Sequence, residues 1–554
     1  MAPYVERVAF YPLDKLVHEY ILEWPGKQGE FRGPFFFSND INPTGGVRQQ
    51  GKRALVEAGK PGDYATLCRV QAMFDPDMYG TYRLFWSPEN PNFFTDFMRV
   101  PILETTRLKE HPNFPDFARR AEAAMREDVD NTVTLPGGAG QEAPGYLAHA
   151  LETWRGMAPA CKAHLGFDPT TWPRFKAAEE FLFRLSQPDG DIRRFNPAGD
   201  THPGPDGSKP IGEYGAGREA KTLTTEELPG FGVVFRNRPG TPQETYLSFK
   251  SGPNRGHYHG DQLAFHYCAG ARPLAVDHYC SYKPRAGQEH MHNRVAFSTP
   301  ELPYANMDGH ERLIAFKTSP NVSVAMGQVE SERLRGVEAL PPEKWHDITR
   351  LSPLPTPLVY RRTVVALNNG AQDYFVMRDQ YAGPEITATY CLHVLGEKIE
   401  HKAQTINFDN LTLFCAAPAP FEFSALPWSH ANGGKTESTQ GARLTIKGSR
   451  GQFITVLYPG ANPPAMSALP NGVKVGDDEI TFAGEISDED ALNYVLVRRA
   501  GRELLSLTGR DVDLNRPQGD IGLFVPDAGY PFGEIPDWLI RQRAPKSQLL
   551  SQTP

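Results

Sequence analysis

What this chain lacks narrows what it can be. It has no run of about 18 apolar residues, which excludes a membrane-spanning helix of ordinary length. It has no basic excess: 58 Lys and Arg stand against 66 Asp and Glu, a formal charge of -8. Nucleic-acid binders usually present a basic surface, so that class is not expected. An acidic polymer would have to be met by a local basic patch, not by the global field. The six cysteines (Cys68, Cys161, Cys268, Cys280, Cys391, Cys415) form no Cys-x-x-Cys pair, which speaks against a cysteine zinc site. They are also too sparse for a disulfide framework. Cys268 and Cys391 lie in apolar, strand-like runs, where a free cysteine acts as a small hydrophobe. The opening MAPYVERVAFYPLDK lacks the basic-then-apolar layout of a signal peptide. Internal repeats and low-complexity blocks are absent as well.

What is there is a folded, multidomain composition, 40% hydrophobic and 22% charged over 554 residues. Residues 1–90 read as a mixed N-terminal region, with an aromatic strand and a Gly/Pro turn region in FRGPFFFSNDINPTGGVRQQGKR. Residues 91–217 read as a helical domain. FPDFARRAEAAMREDV, EAPGYLAHALETWRGMAPACKAHL and TTWPRFKAAEEFLFRLSQ space their apolar residues by three and four, and a Gly/Pro-rich stretch follows from 188 to 217. Pro144 suits the first turn of its helix. After about 230 the period changes to alternation, in segments such as GVVFRNR, ETYLSFKS, QLAFHYCAG, RRTVVALNN, DYFVMRDQYAG, TATYCLHVLG and QFITVLYP. They read as short strands between turns, an all-β sandwich signature. Residues 218–400 are taken as a central β-sandwich with a metal site, and 401–554 as a C-terminal β domain and tail.

One segment, 251–298, holds six of the sixteen histidines: His257, His259, His266, His278, His290 and His292. Imidazole is the commonest metal ligand and titrates near neutrality, so the cluster asks for a metal, a proton-transfer site or both. QLAFHYCAGARPLAVD reads as a hairpin turning near Gly270, which lets residues around His259 and Asp277 meet. His292 from the next strand would complete a His2Asp set. Such a set suits zinc better than calcium or magnesium, which prefer oxygen. Each histidine taken alone is equally a polar residue satisfied in a core or at the surface. His257 and His259, two apart, would share a strand face, leaving His257 free to reach a neighbouring cleft.

The run His257-Tyr-His259-Gly-Asp261, the strand ending at Asp277, and His292-Asn293 together resemble the heparinase II/III family of polysaccharide lyases. A second match is LPGGAGQEAPGYLAHALE, which resembles that family's Asp-Gly-x-x-x-Glu-x-x-x-Tyr helix start through Gly138, Glu142 and Tyr146. Pro136 and Gly137 stand where an Asp is common. QPDGDIRRFNPAGDTH resembles a further family stretch through Pro188, Asp189, Gly190, Gly199 and Asp200. Asn92 falls about fifty residues before Tyr146, at the separation of the family's Asn-His pair, but Phe93 replaces the His.

The resemblance covers roughly residues 90–420. It implies an α+β multidomain fold: an N-terminal α/α toroid-like helical domain, complete or not, followed by antiparallel β-sandwich domains. Either the toroid is short and decorated or an upstream portion is absent. The resemblance also implies zinc, mainly structural, on His259, Asp277 and His292, with other divalent metals open. Tyr146 would be the catalytic acid/base, and His257 would face the substrate, with Asn92 and Tyr282 as further catalytic residues. The substrate implied is a uronate-containing polysaccharide or oligosaccharide (glycosaminoglycan or alginate type) cut by β-elimination in a secreted or periplasmic setting. The oligomeric state is left open, a dimer included.

The physical task would be removal of the C5 proton beside a carboxylate. Hydrogen bonds that neutralise the carboxylate stabilise the enolate-like transition state, a role Asn92 and His257 could take. Tyr146, with a free pKa near 10, would need a neighbouring donor or cation to act near neutrality. His149 lies three residues on, on the same helical face, where packing or capping is as good a role. Glu142, His149, Asn254, Arg255, Tyr279 and Arg285 are candidate substrate-binding residues, and Lys283 and Arg294 are further cations for acidic sugar. Two other readings compete. One is a glycoside hydrolase using Glu142 with Asp96 or Asp200; the other is a noncatalytic carbohydrate-binding protein.

Overall fold

The computed structural model describes residues 114–133, 136–140, 143–188, 220–252, 260–276, 289–309, 311–337, 349–368, 372–432, 435–484 and 494–516, with position 486 and scattered positions between 95 and 109. The chain divides into two compact units, with the division between Glu179 and Glu180.

The first unit is helical where it is described. Helix α1 (Phe114–Thr132), α2 (Pro144–His164) and α3 (Pro173–Leu185) follow the apolar spacing of the sequence. Pro144 opens α2, where its missing N–H is no loss. The buried stripe of α2 runs Leu147, Leu151, Trp154, Ala158 and Cys161. Asp128 of α1 is fully buried and accepts from Thr95 Oγ1 (2.7 Å) and Trp154 Nε1 (2.6 Å), so the carboxylate joins α1 to α2.

After the last turns of α3, the second unit is built of antiparallel strands. β1 (Glu226–Leu228), β2 (Gly232–Asn237), β3 (Thr245–Lys250), β4 (Phe265–Ala269) and β5 (Arg272–Ala275) pair in sequence. Then come β6 (Val295–Ser298), β7 (Ala305–Met307), β8 (Glu311–Thr318), β9 (Val322–Val337), β10 (Thr349–Asn368) and β11 (Asp373–Leu395). β12 (Ile399–Lys402), β13 (Thr405–Phe408), β14 (Leu411–Ala417), β15 (Glu422–Asn432) and β16 (Lys435–Pro459) complete the large sheet. Its path is β1-β2-β3-β4-β5-β11-β16-β14-β13-β12, with β6 and β10 also on β11, β9 on β10, β7 and β8 on β9, and β15 on β16. A small sheet takes β17 (Met466–Leu469), β18 (Gly472–Val475), β19 (Asp478–Phe482), β20 (Val495–Arg499) and β21 (Arg502–Leu507) in order. One continuous sheet therefore spans both sides of residue 400, and the change of sheet follows Pro459.

Two cores explain the apolar runs. Val364, Ala366, Phe375 and Met377 pack with Phe235, Leu247 and Tyr267 of β2–β4. Their neighbours Val365, Leu367, Tyr374 and Val376 pack instead with Val473, Ile480, Val497 and Leu505 of the small sheet. With both faces of β10 and β11 covered, consecutive positions are apolar rather than alternating.

The strands are longer than the sequence suggested. DYFVMRDQYAG and TATYCLHVLG are one strand, β11, whose register against β16 shifts between Ala382 and Ile386. Gly383-Pro384 reads as a turn, but here a bulge lets the strand continue. A Cβ on Gly383 would lie 2.9 Å from Leu358 Cα, so glycine permits the close passage of β10. The expected hairpin is present, β4 turning into β5 through Gly270 (φ 60°) and Ala271 (φ 55°).

Candidate active site

In the helical unit the expected site residue Tyr146 stands in the first turn of α2. The turn before it is shaped by glycine. Gly137 (φ 82°) and Gly138 (φ 91°) take left-handed conformations that side chains resist. A Cβ on Gly138 would also overlap the Ala177 carbonyl of α3. The Gly138 of the sequence motif thus has a packing reason: backbone passes backbone there. The Tyr146 N–H donates to the Ala143 carbonyl at 2.9 Å. Tyr146 is half-buried and His149 exposed, so both lie off the buried stripe of α2; their three-residue spacing implied a shared face.

In the β unit the expected site lies on three segments, and the described parts of all three meet in one network. Asn293, fully buried, donates through Nδ2 to Phe265 O (3.0 Å) and accepts at Oδ1 from the His393 N–H (2.7 Å). Arg362 of β10 donates to the carbonyls of Leu263 and Asn293, both at 2.7 Å, and through Nε to Asp379 at 2.6 Å. Arg294 donates to the Gly260 carbonyl (2.9 Å) and to Gln262 Oε1 (2.7 Å), and pairs with Glu289 (3.1 Å). Val276 N–H donates to the His393 carbonyl at 3.1 Å. His393 Nε2 lies 3.1 Å from the His290 carbonyl, which makes Nε2 the protonated nitrogen. Gly260, which follows His259, Val276, which precedes Asp277, and His292 itself are therefore held in one hydrogen-bonded knot.

The knot is dense in buried charge. Glu289 is fully buried, and burial raises its pKa. Arg294, the backbone N–H groups of Met307 and Phe297, and His292 pull the other way. His290 is pushed down to about 3 by burial, then by Arg443, His393 and His292, so its imidazole is neutral. Lys250 sits between Glu311, which it contacts closely, and Asp261, 3.4 Å away. Burial raises the Glu311 pKa and Lys250 opposes that. Gly260 is fixed by its surroundings, since a Cβ there would lie 2.7 Å from the Asn306 side chain.

Of the expected site residues, Tyr146, His149 and His292 are described. Asn92, Glu142, Asn254, Arg255, His257, His259, Asp277, Tyr279, Tyr282 and Arg285 lie outside the described residues. Among the described residues no three His, Cys, Asp or Glu side chains converge on a point that could hold a metal ion. Arg294 is corrected by the structure: it is not a surface cation for acidic sugar but a fully buried ion that pairs with Glu289 and bonds Gly260 and Gln262. Sequence reading missed Glu289, Arg362, Asp379, His393, Lys250 and Glu311. The available signal was a charge at an inward strand position, as in LVYRRTVVAL, where Arg362 interrupts the core face between Tyr360 and Val364.

The architecture defined by these observations is a helical unit followed by a layered antiparallel β unit, with the site segments knotted in the latter. This is the fold of heparinase-type polysaccharide lyases. The chain is similar to the heparan sulfate lyase HepC from Pedobacter heparinus, with a TM-score of 0.55 at 12% identity, over 85% of this chain and 76% of that one. It is also similar to a heparinase III, with a TM-score of 0.56 at 16% identity, over 91% of this chain and 80% of that one. No family model and no curated protein sequence matches it.

Proposed function

We propose that the protein is a polysaccharide lyase that cleaves a uronic-acid-containing polysaccharide or oligosaccharide, of glycosaminoglycan or alginate type, by β-elimination. The observation that carries the reading is the knot: segments bearing the His-x-His-x-Asp run, the Asp277 strand and His292-Asn293 are gathered by Asn293, Arg294 and Arg362 in a fold similar to heparan sulfate lyases. The finer architecture proposed for the helical unit is an α/α toroid.

In this reading Asn92 and His257 hydrogen-bond the uronate carboxylate, which makes the neighbouring C5 proton removable. Tyr146 takes that proton or protonates the leaving glycosidic oxygen, and Tyr282 assists. His259, Asp277 and His292 would hold a zinc ion. The described residues fit this, because His292 is fully buried beside Glu289 and the backbone next to each of the other two ligands joins the same network. Zinc there would supply a structural clamp on three chain segments. His257, two residues from His259, would be aimed by that clamp.

The test is digestion of a panel of uronans, followed by the ultraviolet absorbance of the unsaturated product. Tyr146→Phe is expected to abolish the signal while leaving the thermal unfolding of the protein unchanged. Full activity in Tyr146→Phe refutes the tyrosine's role. New reducing ends without the ultraviolet signal refute the lyase reading in favour of hydrolysis. Zinc measured in the purified protein at about one per chain, lost in His292→Ala, tests the clamp separately.

A further inference from the structure

Among the described residues, the fully buried arginines of the β unit have ion-pair partners, although the Nη2 of Arg294 and that of Arg362 have no hydrogen-bond partner. Arg294 and Arg362 are paired with Glu289 and Asp379. Arg443 of β16 differs. Its Nε is shielded from solvent and has no hydrogen-bond partner, and among the described residues its guanidinium forms no ion pair. A guanidinium offers five N–H donors in a planar fork, and leaving them unmatched when part-buried is costly. The group that matches the fork is a carboxylate or sulfate, engaged through two parallel bonds.

Its position is set by register. Arg443 stands opposite Cys391 of β11, and Gly441 stands opposite His393. Opposed residues and those two apart share a sheet face, so these four lie together, on the face away from the core residues Tyr390, Leu392 and Leu444. Gly441 is closely packed on this face: a Cβ there would lie 3.0 Å from the Leu426 carbonyl and 3.2 Å from His393 Nδ1. The His393 ring bonds the His290 carbonyl, and the His290 ring packs on Tyr304 with centroids 4.8 Å apart. Tyr304 is one of two large hydrophobic residues exposed among those described, at 39%. A cation with no acceptor among the described residues and a solvent-facing aromatic ring are thus linked through His393 and His290. An acidic sugar brings the complementary parts, an anionic group and an apolar C–H face that packs on an aromatic ring.

We propose that Arg443, linked to Tyr304 through His393 and His290, forms a subsite that binds the carboxylate or sulfate of an acidic saccharide. The proposal deepens the acidic-polysaccharide reading above and rests on it. Calorimetric titration of the full chain tests it with three oligosaccharides of equal length: an unsulfated uronate-containing one, a sulfated one and a neutral glucan. Both acidic ligands are expected to bind more tightly than the glucan. Arg443→Gln is expected to weaken acidic binding roughly tenfold to hundredfold, the range for hydrogen bonds to a charged group. Arg443→Lys should recover part of it, and Tyr304→Ala should weaken both acidic ligands. Arg498→Gln, at an exposed position on the small sheet, is the control and should change nothing. An equal loss for the two acidic ligands assigns the carboxylate as the bound group; a loss confined to the sulfated one assigns the sulfate.

Wild-type affinity in Arg443→Gln, or glucan bound as tightly as the acids, overturns the subsite. Acidic binding that depends on Arg443 but yields no unsaturated product upholds the subsite and removes the lyase reading. Product formation with an unchanged KM in Arg443→Gln does the reverse.

Discussion

Replacing Arg362 by methionine tests whether the site segments are held by buried charge rather than by apolar packing alone. Arg362 is fully buried on β10, and its guanidinium lies 5.2 Å from the Phe265 ring centre and 5.9 Å from that of Tyr390. Methionine keeps much of the stem's volume but removes three bonds: one to Asp379 and two to the carbonyls of Leu263 and Asn293. Asp379, 1% exposed, would retain the Tyr360 hydroxyl at 2.7 Å but lose its counter-charge. Breaking one side of a buried pair costs about 3–5 kcal/mol, and the two stranded carbonyls place Arg362→Met toward the upper end. Urea unfolding followed by near-ultraviolet circular dichroism reads the loss. Arg362→Met with Asp379→Leu removes both charges, so the double variant should be less destabilised than the sum of the singles by about 1–3 kcal/mol. A single variant within about 1 kcal/mol of wild type, or a strictly additive double, would refute the reasoning.

Two further outcomes follow from backbone and titration. Gly138→Ala should destabilise the helical unit by about 2–4 kcal/mol, from left-handed strain and overlap with the Ala177 carbonyl. Gly156→Ala, in open space on α2, should stabilise it by about 0.5–1 kcal/mol, and thermal unfolding separates the two variants. His290 is neutral in the fold because its pKa is pushed from 6.5 to about 3, mainly by burial and then by Arg443. The unfolded chain takes up that proton first as pH falls. The contribution is therefore fully present above about pH 6.5 and is lost progressively toward about pH 3. His290→Gln should flatten the acid side of the stability profile in that window; an unchanged slope would show that His290 does not titrate this way.

Much of this was legible in the chain and some was not, for definite reasons. The β4–β5 hairpin could be read because Gly270 punctuates two apolar runs, and the start of α2 because Pro144 precedes an i, i+3, i+4 stripe. That Tyr146 and His149 share a helical face could be read from their three-residue spacing, but that this face lies off the buried stripe could not. The full length of β11 was hidden, because a Gly-Pro pair looks the same in a turn and in a bulge. The second core was hidden for a related reason: Val364 and Val365 are adjacent and equally apolar, and sequence does not say that each serves a different layer. Arg294 looked like a surface cation, because its acceptors Glu289, Gln262 and Gly260 are gathered only by the fold.

The bonds from Arg362 end on backbone oxygens at both loops. A peptide carbonyl is the same at every residue, so the guanidinium fixes the path of residues 263 and 293 without regard to their side chains. Such an anchor tolerates drift in the loops it holds but none in itself. Residues of these loops whose side chains lie outside the knot can be exchanged while the course of the loops is kept, provided that Arg362, Asp379, Asn293 and Arg294 stay in place.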